Sequence, residues 1–178
     1  MALSLSSGAV SGALIVTAEL GAEDFAWLDG LRRLYYPIER NQVPAHLTLF
    51  HALAPSAERE LRGRLADCAA GPAPAARIAG IMDLGGGVAL RIVSDELDAL
   101  RDALAEDLHG LLGAQDSGGW RPHVTIENKV APKVARELIH SLGQDFQPRQ
   151  LRISGLGLHR YLGGPWETLG VYKFRKSD

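Results

Sequence analysis

The chain has 178 residues, a formal net charge of −2 at pH 7 and 46% hydrophobic residues, which suits one domain or two closely packed lobes with a sizeable core. Its single cysteine, Cys68, excludes an internal disulfide. No basic residue precedes Arg32 and no apolar run is long enough to span a bilayer, so we expect neither a signal peptide nor a membrane anchor, and a location in the cytoplasm.

Charge is unevenly distributed along the chain. Residues 120–178 contain ten Lys or Arg and five Asp or Glu, whereas the remainder is acidic. A basic second half favours a local anionic ligand. The near-neutral total argues against binding along a long nucleic-acid duplex, which requires many phosphate contacts.

The first half of the chain predicts strands and helices in alternation. Apolar, partly β-branched runs predict the strands, and apolar residues at helical spacing predict the helices. Pro37 ends the first helix, Ser56 has the side chain of an N-cap for the second, and glycines 85–87 predict a hairpin turn. The predicted elements are a strand at 13–20, a helix at 22–35, a strand at 45–50, a helix from 56 to about 71, and hairpin strands at 77–82 and 88–93.

The second half repeats this order of elements. Ser94 predicts the N-cap of a helix whose leucine stripe extends to Leu111, and Pro132 is well placed to open the next helix. Shifting the first half by 77 residues lays its helices over those of the second half, which predicts a duplicated strand–helix–strand–helix–strand unit. The predicted elements are a helix at 94–111, a strand at 121–126, a helix at 132–143, and hairpin strands at 151–161 and 168–174.

Two His-x-Thr motifs occupy equivalent predicted strands of this duplication. His46 and Thr48 form one motif, and His123 and Thr125 form the other, 77 residues later. Side chains at i and i+2 of a strand point to the same face. A twofold arrangement of the two units would therefore bring two imidazoles and two hydroxyls together across one groove.

This set of groups suits nucleophilic displacement at a phosphodiester. The reaction needs a base for the incoming hydroxyl and an acid for the departing oxygen, and histidine can serve as either near neutral pH. Two histidines are needed on opposite sides of the phosphorus because the attacking and leaving oxygens lie roughly in line. The threonine hydroxyls could donate to the non-bridging oxygens. Neither a metal nor another cofactor is required.

The two motifs resemble those of the two-histidine phosphoesterase superfamily, which includes proteins called 2′-5′ RNA ligases and cyclic phosphodiesterases. The motifs that begin at His46 and His123 match the repeated H-x-(T/S)-x pattern of that family. The resemblance implies one bilobal α+β domain over residues 1–178, with two antiparallel sheets framing a central cleft and helices outside. It further implies that both histidines are catalytic and that Thr48 and Thr125 bind phosphate.

Six more side chains are candidates for substrate contact. Arg121 and Lys129 could neutralise phosphate, and four aromatic side chains could stack on an unpaired base. The aromatic candidates are Tyr36, Trp120, Tyr161 and Trp166.

Three functions are compatible with the motifs. The leading one is a monomeric, metal-independent enzyme that acts on a 2′,3′-cyclic phosphate or a 2′-5′ phosphodiester of a nucleotide or an RNA 3′ end. The second is a non-catalytic nucleotide- or RNA-end-binding module on the same scaffold. The third is a hydrolase with His46 and His123 as metal ligands, which is disfavoured because neither motif has acidic or cysteine partners nearby. His51 would face away from His46 in a regular strand, so a zinc site that uses both is also disfavoured.

Overall fold

The computed structural model of the protein describes residues 12–175, which form an α+β fold. Within that range, no helix is long and apolar enough to cross a membrane. The strands are β1 (Leu14–Leu20), β2 (Leu47–Leu53), β3 (Ala75–Asp83), β4 (Val88–Val93), β5 (His123–Glu127), β6 (Arg149–Tyr161) and β7 (Trp166–Lys173). The helices are α1 (Ala22–Tyr35), α2 (Glu58–Ala69), α3 (Asp95–Asp107), α4 (Ala114–Ser117) and α5 (Pro132–Asp145), with 3-10 turns at Ile38–Arg40 and Pro55–Ala57.

The strands form two antiparallel sheets that share the long strand β6. One sheet has the order β2-β1-β6-β7 and the other has the order β5-β4-β3-β6. The beginning of β6, from Arg149 to Arg152, pairs with β3, and its remainder pairs with β1 and β7. The predicted fold class, α+β with two antiparallel sheets, is confirmed.

Each sheet combines strands from both halves of the chain. The element order β1-α1-β2-α2-β3 of the first half recurs as β4-α3-β5-α5-β6 in the second. Strands β1 and β2 nevertheless pair with β6, whereas β4 and β5 pair with β3. The two units thus exchange their third strands, β3 and β6. This exchange joins the sheet of the first motif to the sheet of the second.

The core lies behind the motif strands. Leu47 and Leu49 of β2 and Val124 and Ile126 of β5 are all 0% exposed. Burial of one such side chain stabilises a fold by about 1.5–3 kcal/mol. These four positions therefore fix the orientation of both strands, and Thr48, His123 and Thr125 alternate with them onto the opposite face.

Two local predictions about helices are wrong, and one short helix was missed. Ser56 lies inside the 3-10 turn that Pro55 opens, and α2 begins at Glu58 without a side-chain cap. Helix α3 ends at Asp107, short of the predicted end at 111, and the chain turns at Gly110, whose positive φ of 86° is readily adopted by glycine. The short helix α4 that follows was not predicted. The cap at Ser94 is confirmed, since its Oγ accepts a hydrogen bond from the backbone N–H of Leu97 at 3.0 Å.

Candidate active site

The two His-x-Thr motifs meet in one cavity of about 400 Å³. His46 and Thr48 approach it from β2 and its preceding residue, and His123 and Thr125 approach it from β5. The cavity therefore places two imidazoles and two threonines in reach of one small ligand. Its walls also include Ile15, His51, Arg101, Trp120, Arg121 and Trp166.

The other predicted substrate-contact residues divide into two groups. Trp120, Arg121 and Trp166 belong to the wall of this cavity. Tyr36, Lys129 and Tyr161 do not belong to its lining within residues 12–175. The ring of Tyr36 packs beneath a buried arginine of α1, and Lys129 is exposed in the loop that follows β5.

Both motif histidines are oriented in the same way by the backbone. His46 Nδ1 donates to the carbonyl oxygen of Pro44 at 2.8 Å, and His123 Nδ1 donates to that of Arg121 at 2.7 Å. A carbonyl oxygen only accepts, so each Nδ1 carries a proton. In both rings Nε2 is therefore the nitrogen that is available to a ligand in the cavity.

The ring of His46 is packed against Trp166. The two ring centroids are 4.6 Å apart and the planes are tilted by 58°. Burial lowers the pKa of His46 to about 4, against the opposing effect of the Pro44 hydrogen bond, and the positive charge of Arg32 contributes in the same direction as burial. His46 is consequently neutral at pH 7, with an unprotonated Nε2.

Arg32 of α1 connects the residues that precede the first motif with the strand of the second. The side chain is 3% exposed, and its guanidinium lies 4.1 Å from the centre of the Tyr36 ring. Its Nε donates to Asn41 Oδ1 at 2.7 Å and to the carbonyl of Val43 at 3.0 Å, while Nη1 donates to the carbonyl of Thr125 at 2.9 Å. One buried cation thus fixes the approach to His46 relative to β5.

Two side chains from the second half of the chain donate hydrogen bonds to the backbone of β2, the strand of the first motif. Trp120 Nε1 donates to the carbonyl of Thr48 at 3.1 Å. Arg101 Nε of α3 donates to the carbonyl of Leu49 at 3.0 Å, and its guanidinium lies 5.2 Å from the centre of the Trp120 ring. The two motif strands are therefore held by hydrogen bonds that run in both directions between the halves of the chain.

The family model of the 2′-5′ RNA ligase superfamily matches residues 21–165, which contain both motifs and the whole cavity wall except Ile15 and Trp166. The chain belongs to the 2′-5′ RNA ligase superfamily, a group of two-histidine phosphoesterases. Membership indicates an enzyme of the phosphoesterase or ligase type. No curated protein sequence matches the chain.

Several solved structures share the fold of this chain. TT0787 of Thermus thermophilus has a TM-score of 0.64 and 18% identity, covering 93% of this chain and 100% of its own. A structure described as a phosphoesterase has a TM-score of 0.62 and 17% identity, with 94% and 100% covered. E. coli LigT in complex with 3′-AMP has a TM-score of 0.61 and 17% identity, again with 94% and 100% covered. Likenesses at these identities establish the fold alone.

Strand β2 of this superfamily member contains a bulge that the sequence analysis missed. Val16 of β1 pairs with Phe50 and Thr17 pairs with Thr48, so β2 has one extra residue between those positions. Leu49 and Phe50 are both buried, and the alternation of faces reverses after them. The prediction that His51 faces away from His46 is therefore wrong, because His51 lines the same cavity.

A buried carboxylate fixes the orientation of His51. Asp116 of α4 is 1% exposed, and its Oδ1 accepts hydrogen bonds from the backbone N–H of His51 at 2.7 Å and from His51 Nδ1 at 3.1 Å. Its Oδ2 accepts from the N–H of Ala52 at 2.9 Å. Burial alone would raise the pKa of Asp116, but these hydrogen bonds hold it below the ordinary value. Asp116 is therefore ionised at neutral pH.

A second, larger cavity of about 690 Å³ lies on the other side of the His46–Trp166 contact, and both residues border it. Its polar wall is built around His159, whose Nε2 donates to Thr17 Oγ1 at 2.9 Å, while Thr17 donates to Glu19 at 2.7 Å. His159 Nε2 also lies 3.6 Å from Glu19 Oε1, and this polar contact is the main cause that lowers the pKa of Glu19. The lining of this cavity contains a carboxylate, Glu19, together with Arg152 and Lys173, whereas the described lining of the motif cavity contains no Asp or Glu.

Among residues 12–175, no group of three or more His, Cys, Asp and Glu side chains is arranged to hold a metal ion. The three histidines of the motif cavity donate their Nδ1 protons to different groups: His46 and His123 to backbone carbonyls, and His51 to a carboxylate. What the arrangement offers chemically is three oriented imidazoles in one cavity.

Proposed function

We propose that this protein is a metal-independent phosphodiesterase that acts on 2′,3′-cyclic phosphates or 2′-5′ phosphodiester bonds of nucleotides or RNA ends. The observation that carries the proposal is the matched anchoring of His46 and His123 by backbone carbonyls around one cavity. This anchoring leaves two Nε2 atoms to exchange protons with a substrate. We also propose that the chain acts as a monomer and as one domain over residues 1–178.

The two histidines have different roles in this proposal. His46, with a pKa of about 4, is neutral at pH 7, so its Nε2 is free to accept a proton, whereas the protonated form that an acid requires is scarcely populated. His123 then acts as the acid, through a protonated Nε2. The lowered pKa of His46 is thus the reason for assigning the base to the first motif.

For a cyclic phosphate, the oxygen of a water molecule forms the new bond to phosphorus while the bond to the 2′ or 3′ oxygen breaks. His46 accepts the proton of the water and His123 donates one to the departing oxygen. The product is a phosphomonoester, and solvent returns the proton from His46 to His123. For a 2′-5′ bond, the neighbouring 3′ hydroxyl replaces water and the 5′ oxygen departs.

Thr48 and Thr125 bind the phosphate in this mechanism. Both line the cavity, so their hydroxyls are placed to donate to the non-bridging oxygens, where charge is held during the displacement. Arg121 is exposed at the cavity wall and attracts the anionic substrate. Trp120 and Trp166 provide faces on which a base can stack.

A nucleotide as the ligand is supported by the relatives. LigT of E. coli has been solved in complex with 3′-AMP, with NADP+, with ATP and with phosphate. These are ligands of LigT. Together with the imidazoles and threonines of the cavity, they favour a nucleotide or an RNA 3′ end as the substrate of this chain.

Product analysis tests the proposal. The protein is incubated with a nucleoside 2′,3′-cyclic phosphate and with a 2′-5′-linked dinucleotide, each with and without excess chelator. We expect turnover of at least one substrate, unchanged by the chelator. Activity that chelation abolishes and divalent metal restores would reject the metal-independent mechanism. Tight nucleotide binding without any product would support a non-catalytic binding module instead.

A further inference from the structure

His51 is a third histidine in the cavity, and the two-histidine mechanism does not use it. Its side chain is 38% exposed, and the bulge in β2 turns it to the face that carries Thr48. Because Nδ1 donates to the ionised Asp116, Nε2 is the nitrogen left for a ligand, and in the imidazolium form it donates to a phosphate oxygen. A side chain that only filled space would not need a buried carboxylate to orient it.

The charge around His51 favours an anionic ligand. Arg101 and Arg121 line the cavity with three histidines, and the described lining includes no Asp or Glu. Asp116 is 1% exposed, accepts hydrogen bonds from His51 and Ala52, and does not belong to the described lining of the cavity. Arg101 is 6% exposed and its Nη2 donates to the carbonyl of Asp116 at 2.7 Å, so its positive charge lies close to His51.

The spacing along β2 separates His51 from the reacting phosphate. With one bulge residue between them, His51 lies two regular strand positions beyond Thr48, which corresponds to about 7 Å. His51 therefore enters the cavity two strand positions away from the threonine that binds the reacting phosphate. A second phosphate, attached to the other side of the same ribose, can reach His51.

We propose that His51, oriented by Asp116 and supported by the charge of Arg101, forms a second phosphate subsite that binds the 5′ phosphate of the nucleotide being processed. This inference rests on the proposed function and sharpens its substrate class. The preferred substrates carry two phosphate groups on one ribose, as the terminal nucleotide of an RNA does. A nucleoside 2′,3′-cyclic phosphate with a free 5′ hydroxyl lacks the second group.

Binding measurements test the subsite without relying on turnover. The affinities of a nucleoside 3′-phosphate and of the same nucleoside 3′,5′-bisphosphate are measured by calorimetry. We expect the bisphosphate to bind the unsubstituted protein about 10- to 100-fold more tightly, which is the gain in affinity expected from one charge-assisted hydrogen bond. His51→Asn should remove most of this preference, because Asn lacks the reach of Nε2. The affinity for the monophosphate should change by less than about twofold, because that ligand has no 5′ phosphate.

His140→Asn is the matched control, since His140 is exposed on α5 and contacts only the side chain of Gln144 in the described structure. It should keep the full preference for the bisphosphate. His51→Gln provides a second variant, and thermal unfolding verifies that each variant is folded. Equal affinity of the unsubstituted protein for both ligands, or an unchanged preference in both His51 variants, would overturn the subsite.

Kinetics with 5′-hydroxyl and 5′-phosphorylated nucleoside 2′,3′-cyclic phosphates separate the two proposals. We expect the 5′ phosphate to lower KM with little change in kcat, and His51→Asn to raise KM for the phosphorylated substrate alone. If neither substrate is turned over while the bisphosphate preference persists, the subsite stands and the proposed catalysis fails. Turnover of both substrates with equal KM would reject the subsite and keep the catalysis.

Discussion

His46 and His123 are anchored alike but have different surroundings. Each donates Nδ1 to the carbonyl two residues earlier, at 2.8 and 2.7 Å. His46, however, is packed against Trp166 at the border between two cavities, whereas His123 follows the exposed Arg121 by two residues. The backbone of a duplicated unit supplies the common orientation, and the packing of the neighbouring side chains supplies the difference. A duplicated scaffold can thereby place equivalent residues in different surroundings.

The largest effect should come from the two histidines themselves. We expect His46→Asn and His123→Asn each to lower kcat by about 10²–10⁴-fold, the range for loss of an acid or a base. An activated aryl phosphodiester separates the roles, because its leaving group needs no proton. It should restore most of the rate of the His123 variant and little of that of the His46 variant. The opposite pattern would reverse the assignment of acid and base.

Removal of the threonine hydroxyls should have the next largest effect. Thr48→Val and Thr125→Val keep the β-branched shape that suits a strand. We expect each to lower kcat by about 10²-fold, as for loss of one donor to a developing charge, without loss of stability. Steady-state kinetics and urea unfolding measure both quantities. A full rate in either variant would show that its threonine does not contact the phosphate.

Arg32→Met tests the connection between the two motifs. The substitution leaves the carbonyls of Val43 and Thr125 without their donor, so we expect a loss of about 2 kcal/mol in the free energy of unfolding and about tenfold in kcat/KM. Arg33→Met is the control, because the Arg33 side chain is 69% exposed and forms an ion pair with Asp29 at the surface. It should change the stability by less than about 0.5 kcal/mol. Equal losses in both variants would contradict a special role for Arg32.

The smallest of the predicted effects should be a shift in the pH dependence of kcat/KM. His46 accepts a proton in our proposal, so kcat/KM should decrease only as the pH falls through its pKa of about 4. Trp166→Leu exposes the ring to water, which weakens the main cause of the lowered pKa. We expect the acidic limb to move to higher pH by about one unit, towards the ordinary histidine value. An unmoved limb would show that another group controls it.

The sequence predicted the element order and both motifs, because apolar periodicity and the i, i+2 spacing are local properties. The bulge at Leu49 and Phe50 is different, since it depends on pairing with β1, and His51 was consequently assigned to the wrong face. Arg101, in contrast, could have been identified from the sequence. It lies four residues after Leu97 and three before Leu104, both of which are buried on α3. A charge on the buried stripe of a helix indicates a specific partner.

The exchange of third strands has a consequence for synthesis on the ribosome. Leu14 pairs with Arg160, so the sheet that carries His46 lacks a central strand until residue 160 has been made. The nascent first half therefore holds an open edge at β1 and depends on late, long-range pairing, which slows folding and invites aggregation. For the same reason, a cut between the halves should give two pieces that regain structure only when mixed, each completing the other's sheet.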